Sequence, residues 1–244
     1  MELAVNDHLV LLEGRAAVGK SASFMNLENP ERVAYLNCEN GKKLPFPAKF
    51  KQVVVTDPMQ VPASIEGLNG HPDYDTIIVD SNSFLMQMYE NQYVITAPNT
   101  MKAWGEYANF FINMMQQAVA KSDKTIIFTS HVEDKYNDSE MITETKAVVK
   151  GSLAKVGIEA YFSCVIMAKK MKIKDLEPYV KDNDLLTITP EDEALGFKYV
   201  FQTRLTKDTV NEKIRGPMGM WTMQETFINA DMQLVINRLK QYYG

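Results

Sequence analysis

HLVLLEGRAAVGKS, residues 8–21, joins a short apolar run to a glycine-containing loop. From Gly14 to Ser21 the loop has the GxxxxGK[ST] spacing, in which backbone N–H groups point at phosphate oxygens and glycines allow the close approach. The apolar run predicts a buried strand, and KSASFMNLEN, residues 20–29, predicts the start of a helix. The alternative is a glycine-bearing turn with a surface lysine. The order of strand, loop and helix favours a phosphate-binding loop.

The loop side chains have separate predicted roles. Lys20 would reach the β and γ phosphates of a nucleotide as a compact point charge, and the Ser21 hydroxyl would take one position on a Mg²⁺ ion. The candidate nucleotide-binding residues of the loop are Gly14, Arg15, Ala16, Ala17, Val18, Gly19, Lys20 and Ser21.

Composition limits the classes of protein that fit. The chain has 244 residues, of which 45% are hydrophobic and 23% charged, so we expect a single domain over residues 1–244. It contains no apolar run of about 18 residues, and its start lacks a basic end followed by an apolar stretch. We therefore expect a soluble, cytoplasmic protein without a membrane partner.

The cysteines and histidines give little support to a metal or disulfide site. Cys38 and Cys164 both lie in strand-like apolar segments, which favours reduced core thiols and leaves a disulfide as the alternative. The histidines are far apart and show no zinc-ligand spacing. The only metal that the sequence implies is a nucleotide-bound Mg²⁺.

The formal net charge of −5 argues against a protein that coats nucleic acid by bulk attraction alone. Local basic strips remain candidates, namely KKMKIK at Lys169–Lys174 and the spaced Lys146, Lys150 and Lys155. The alternative is that these lysines only solvate a face of the protein.

Strand and helix patterns alternate along the chain. Four short apolar runs predict buried parallel strands, namely residues 32–39, 50–57, 74–81 and 124–131. Between the last two, residues 101–123 carry apolar side chains at helical spacing. This alternation indicates an α/β fold with a mostly parallel central sheet flanked by helices, and the phosphate loop makes a P-loop NTPase core the expected fold class.

The pattern changes beyond Lys150. Residues 163–171 and 198–205 predict strands that continue the sheet in antiparallel fashion, and residues 151–162 look helical. The charged segment 174–186 between these strands predicts a loop or hairpin insertion. Residues 225–243 predict a closing amphipathic helix with Ile228, Met232, Val235 and Leu239 on one side.

Acidic residues end two of the predicted strands and compete for one role. Ligands of open α/β sheets bind beyond the carboxyl ends of the strands. Asp80 ends TIIVD, where it can orient water around Mg²⁺ opposite Ser21. Asp57 ends VVVTD, but Pro58 follows it and its strand is less uniformly apolar. We favour Asp80.

Two further strand ends carry candidate residues. Glu39 ends VAYLNCE, where a carboxylate can polarise the water that attacks the γ-phosphate, or can be an exposed residue without a catalytic role. Ser130 and His131 end TIIFTSH, where polar side chains can sense the γ-phosphate. A purely structural histidine is the alternative.

The phosphate loop, Glu39, the IIVDS strand, the Trp104–Gly105 pair that opens a helix, and IIFTSHV together resemble RecA-like recombination ATPases. The most similar group is the compact bacteriophage single-strand annealing ATPases, which consist of little more than the RecA core. Residues 149–167 and 199–216 fit the same group, so the resemblance covers nearly the whole chain. One departure is the sensor position, often an amide in RecA proper and here Ser130–His131.

This resemblance implies an ATPase that uses ATP and Mg²⁺ and assembles on single-stranded DNA as a ring or filament, with ATP between neighbouring subunits. Lys213 and Arg215 of NEKIRG would then act in trans on the transferring phosphate, or form a solvated basic turn. Segment 131–151 would hold a DNA-facing loop with Lys135, Lys146 and Lys150 on backbone phosphates.

Two other classes of protein remain open at this point. A P-loop kinase would use the same loop and Asp80, although arginine is scarce between Val33 and Ile126, where an arginine-rich lid would lie. A regulatory or structural module that binds nucleotide without hydrolysing it is the second.

Overall fold

An eight-stranded sheet and a separate hairpin organise the computed structural model, which describes residues 6–244. The strands are β1 (Leu9–Glu13), β2 (Val33–Asn37), β3 (Lys51–Val54), β4 (Thr76–Asp80), β5 (Thr125–Ser130), β6 (Val132–Asn137), β7 (Ile142–Ala147), β8 (Cys164–Lys172), β9 (Phe197–Gln202) and β10 (Phe227–Asn229). Across the sheet they lie in the order β10-β9-β8-β1-β5-β4-β2-β3, and β6 and β7 pair with each other.

The sheet is parallel from β3 to β8 and antiparallel beyond it. Strand β1 pairs in parallel with β5 and β8, and β2 pairs in parallel with β3 and β4. Strand β9 runs antiparallel to β8, and β10 runs antiparallel to β9. The predicted fold class is therefore confirmed, including the antiparallel strands near the carboxyl terminus.

Helices cover both faces of the sheet. They are α1 (Gln60–Leu68), α2 (Asn82–Tyr89), α3 (Thr100–Asn113), α4 (Leu153–Val156), α5 (Ile173–Val180), α6 (Pro190–Leu195) and α7 (Met232–Tyr243). Helices α1 to α3 bury Ile65, Leu85 and Phe111 in one core, and α7 buries Val235 and Leu239 in the core on the other face. Helix α3 continues as a π-helical segment, Met114–Val119.

The helix expected directly after the loop is reduced to one 3₁₀ turn, Ser21–Phe24. Asn29 adopts a left-handed conformation with φ 49° and precedes Pro30, so the helical pattern cannot continue into β2. A phosphate at this loop would therefore meet the loop backbone itself, with little contribution from a helix dipole.

Three other predictions are corrected. Segment 174–186, expected to be a loop or hairpin, contains α5, because Leu176 is buried in a small core with Val200 and Phe227. Residues 151–162, expected to be helical, are helical only in the short α4 and in one 3₁₀ turn, Ile158–Tyr161, which are separated at Gly157, whose φ is 82°. The closing helix begins at Met232 with Asp231 as its cap, and Ile228 belongs to β10.

Both cysteines are free and buried, Cys38 in one core and Cys164 in the other. None of the helices within residues 6–244 combines the length and the apolar character that crossing a bilayer requires.

Candidate nucleotide-binding site

The loop that follows β1 lines a cavity of about 610 Å³ at the carboxyl edge of the sheet. Residues Ala16–Ser23 form one wall. Glu39 from the end of β2, His131 from the end of β5 and Tyr199 from β9 line the cavity as well. The parallel order of β1, β5, β4 and β2 brings these chain segments to the same edge.

The loop backbone adopts a conformation that glycine makes accessible. A Cβ atom at Gly14 would lie 2.8 Å from the carbonyl oxygen of Ala168, so a side chain there would collide with β8. Gly19 has φ 87°, and Ala17 also lies in the left-handed region with φ 60°. Non-glycine residues in this region carry strain that is common at ligand-binding loops.

The Lys20 side chain lies across the loop. Its Nζ donates to the carbonyl oxygens of Gly14, at 2.8 Å, and Arg15, at 2.9 Å, and lies 3.5 Å from His131 Nδ1. Burial is the main reason that the pKa of Lys20 is lowered to about 8, and Asp80 and Glu39 oppose that effect. A partly desolvated ammonium held by carbonyl oxygens gains from a phosphate anion in the cavity.

Asp80 accepts hydrogen bonds from three hydroxyl groups. Ser21 Oγ donates to Oδ2 at 2.8 Å, Tyr35 Oη donates to Oδ2 at 2.6 Å, and Thr129 Oγ1 donates to Oδ1 at 2.5 Å. Burial, and then Asp80, raises the pKa of the Tyr35 hydroxyl, which keeps it a donor. Asp57 lies elsewhere, where it accepts from the Met59 N–H at the start of α1 and from Tyr93.

The pairing of Ser21 with Asp80 is a donor set that suits Mg²⁺. One hydroxyl and one carboxylate are hard oxygen ligands, and Mg²⁺ usually takes one or two carboxylates with phosphate oxygens and water. Among residues 6–244 there is no group of three or more His, Cys, Asp and Glu side chains that would form an all-protein metal cage. The residues present therefore fit a metal ion that arrives with a nucleotide.

Glu39 lies between His131 and Lys42. Its Oε1 lies 3.7 Å from His131 Nε2, and its Oε2 accepts from Lys42 Nζ at 3.0 Å. His131 first, and then Lys42, lowers the pKa of Glu39 to about 2, so the carboxylate is ionised at neutral pH. His131 thus links Lys20 on one side to Glu39 on the other.

Ser130 lies behind the loop and does not line the cavity. It is fully buried, its hydroxyl is 3.2 Å from that of Ser83, and its carbonyl oxygen accepts from the Gly14 N–H at 3.1 Å. Of the two predicted sensor residues, only His131 reaches the cavity.

Lys213 and Arg215 lie outside this cavity. Lys213 Nζ donates to Glu144 Oε1 of β7 at 2.5 Å. The Arg215 backbone exchanges two hydrogen bonds with Val165 of β8, and its side chain is exposed. Among residues 6–244 the two basic side chains share no partner.

The lysines predicted to face DNA lie on or near the β6–β7 hairpin, but two of them are paired. Lys146 Nζ donates to the Ala154 carbonyl oxygen at 3.2 Å, and Lys150 forms an ion pair with Glu90 at 2.8 Å. Lys135 is exposed. The hairpin contacts the phosphate loop, since Arg15 forms a 2.5 Å ion pair with Asp134 of β6.

Four residues at the site were not predicted from the sequence. Tyr35 and Thr129 are bonded to Asp80 only because β2 and β5 flank β4, a strand order that no local pattern encodes. Tyr199 lies beside Gly19 across more than a hundred residues of sequence. The pairing of Lys42 with Glu39 could have been predicted, because Lys42 follows Glu39 by three residues in a segment rich in turn formers.

The comparison with known proteins agrees with this geometry. A family model described as an AAA domain matches residues 7–193, which include the phosphate loop, Glu39, Asp80 and His131. No curated protein matches the sequence. Because the match covers well over half of the chain, the protein belongs to the AAA domain family of P-loop ATPases.

Proposed function

We propose that the protein hydrolyses ATP with Mg²⁺ at this cavity and, as a homo-oligomer, acts on single-stranded DNA in recombination or strand annealing. The ATPase part of the proposal rests on the 2.8 Å hydrogen bond between Ser21 and Asp80. Lys20 and Glu39 line the same cavity as Ser21. This arrangement provides a cation that can bind phosphate, a pair of oxygen ligands for a metal ion, and an ionised carboxylate.

Each residue has one task in this proposal. Lys20 binds phosphate oxygens, Ser21 and Asp80 would hold Mg²⁺, and Glu39 orients the attacking water. Bound Mg²⁺ neutralises charge on the phosphates. His131 is placed to respond to the γ-phosphate because it lies 3.5 Å from Lys20 and 3.7 Å from Glu39.

The action on DNA rests on the resemblance to RecA-like annealing ATPases and on one contact. The ion pair of Arg15 with Asp134 joins the phosphate loop to the hairpin that carries the exposed Lys135. A nucleotide that draws Arg15 away from Asp134 would free that hairpin. On the same resemblance the protein works in the cytoplasm, that of the host cell if a phage encodes it.

Replacing Lys20 with alanine should abolish ATP binding at concentrations that saturate the parent protein. The loss of a charge-assisted contact to phosphate costs more than about 1.5 kcal/mol, a factor above ten in affinity. Titration calorimetry measures the affinity for ATP. The control is Lys49→Ala, because Lys49 is an exposed lysine outside the cavity. Unchanged affinity in Lys20→Ala would refute the loop assignment.

ATP turnover with and without single-stranded DNA then tests the remainder of the proposal. Stimulation of turnover by DNA supports the proposed action on single-stranded DNA. Turnover that DNA leaves unchanged would contradict it while leaving the ATPase in place, and tight binding without any turnover would indicate a non-hydrolysing module.

ATP binding should also take up protons at pH values above about 8. Burial lowers the pKa of Lys20 to about 8 in the free protein, whereas a bound triphosphate favours the charged ammonium and raises that pKa. Affinity should therefore fall as pH rises above about 8, by at most about tenfold per pH unit. Calorimetry in buffers of different ionisation enthalpy measures the uptake. Lys20→Arg stays charged and should show none; equal uptake would assign the proton to another group.

A further inference from the structure

A second cleft lies at the antiparallel end of the sheet, apart from the ATP cavity. It has a volume of about 1070 Å³ and lies between α5, the neighbouring face of β8 and β9, and segment 204–210. Its lining shares no residue with the lining of the ATP cavity. The cleft also contains part of the KKMKIK stretch, to which the ATPase site gives no role.

The charge of the cleft is opposite to that of the chain as a whole. Four basic side chains and two acidic ones line it, in a protein of net charge −5. Lys174 and Lys207 are exposed and take part in none of the ion pairs formed between residues 6 and 244. Lys169 is paired with Glu212 at 2.6 Å. The two unpaired lysines are therefore available to an anionic ligand.

A buried amide lies in the wall of the cleft. Gln202 is fully buried, and its Nε2 donates to the Arg204 carbonyl oxygen at 2.7 Å and to Thr209 Oγ1 at 2.8 Å. Its Oε1 has no hydrogen-bond partner among the described residues. A buried acceptor without a donor is costly, so a ligand that brings an N–H group to this position would gain from it.

Apolar side chains complete the lining. Leu205, Val210 and Met223 are exposed to solvent, and Tyr179 packs edge-on against Phe227 at 4.8 Å between ring centroids. Exposed apolar groups beside unpaired lysines suit a ligand with flat apolar rings and negative charges. Nucleobases joined by phosphates have this chemistry, and their amino or imide groups are N–H donors.

We infer that this cleft binds a segment of single-stranded nucleic acid, with phosphates at Lys174 and Lys207, bases against the apolar lining, and a base N–H group at Gln202 Oε1. The inference rests on the proposed action on single-stranded DNA. It assigns the principal contact to this cleft, whereas the sequence prediction assigned it to Lys135, Lys146 and Lys150.

The test measures binding of a fluorescent oligodeoxycytidylate by anisotropy over a range of salt concentrations. The double variant Lys174→Glu with Lys207→Glu should bind it about tenfold or more weakly, and the salt slope should become shallower by about 1.4, since each phosphate contact on a single strand contributes about 0.7. Lys121→Glu, an exposed lysine on the chain segment before β5, is the matched control and should bind like the parent.

A second variant tests the base contact. Gln202→Met should weaken binding of the oligodeoxycytidylate about fivefold and leave binding of an abasic strand of equal length unchanged, because only the former presents base N–H groups. ATP affinity equal to that of the parent confirms that each variant is folded. Equal loss with both strands, or parent-like binding by the double lysine variant, would overturn the inference.

The hairpin variant Lys135→Glu separates this inference from the proposed function. If Lys135→Glu loses binding and the cleft variants do not, the strand binds at the hairpin, and the proposed function survives without the cleft. If the parent protein binds no strand at all, both the cleft and the action on DNA are refuted, and the ATPase assignment stands.

Discussion

Replacing Glu39 with glutamine is expected to slow ATP hydrolysis by about a hundredfold or more while ATP affinity stays close to that of the parent. Glutamine keeps the shape of the side chain and can still bond to Lys42 or His131 through its carbonyl oxygen. It lacks the negative charge that polarises the attacking water. The change therefore separates binding from chemistry in a way that Lys20→Ala does not.

The contacts of Glu39 define how it can act. With a pKa of about 2, this carboxylate is protonated only as the pH falls towards 2, so it is anionic at neutral pH. Such a weak base favours a role in which Glu39 orients water and stabilises its developing positive charge. The rate of hydrolysis should accordingly show no acidic limb from Glu39 above about pH 4.

Steady-state turnover at saturating ATP, with affinity measured by calorimetry, provides the comparison. Glu31→Gln is the matched control, because Glu31 is an exposed carboxylate just before β2. Parent-like turnover in Glu39→Gln would show that Glu39 has no catalytic role.

Much of the site could be predicted because its residues end apolar strands. The phosphate loop has a fixed spacing, and Asp80 ends a strand whose five residues are all buried. The position of Asp57 shows why the choice between the two acids was possible: β3 is an exposed edge strand, separated from β4 by β2. A uniformly apolar run indicated a central strand, and this central strand carries Asp80 to the edge of the sheet beside Ser21.

Charge partners could not be predicted, because they depend on segments that are distant in sequence. Lys150 pairs with Glu90 and Lys213 with Glu144, so lysines that look available in the sequence are neutralised in the fold. Gln202 looks like an ordinary strand residue in the sequence, and it is distinguished only by its burial with no partner for Oε1 among residues 6–244. Local patterns determine strands and loops, whereas the state of a charge is a property of the packed structure.

Removing the basic pair Lys213 and Arg215 is expected to leave ATP binding intact and to reduce hydrolysis by about a thousandfold, the lower end of the effect of an arginine supplied to a transferring phosphate. Both side chains lie outside the cavity of their own chain, so any direct action on ATP requires a neighbouring subunit. Turnover per subunit should then rise with protein concentration, because the complete site exists only in the assembly.

The structure distinguishes the two residues. Lys213 must give up its 2.5 Å bond to Glu144 before it can reach a neighbour, whereas the Arg215 side chain is exposed on a backbone that is fixed to β8. Arg215→Ala should therefore account for most of the loss. Lys240→Ala, an exposed lysine on α7, serves as the control for removal of a surface cation.

Mixing the double variant Lys213→Ala with Arg215→Ala and the Lys20→Ala protein gives the sharpest test of action in trans. Each protein alone is inactive, the first because no subunit supplies the basic pair and the second because no subunit binds ATP. In a mixed assembly, the intact loop of one subunit faces the intact basic pair of its neighbour, so part of the activity should return. A mixture as inactive as its components, with parent turnover that is independent of protein concentration, would show that each chain works alone and that the basic pair has another role.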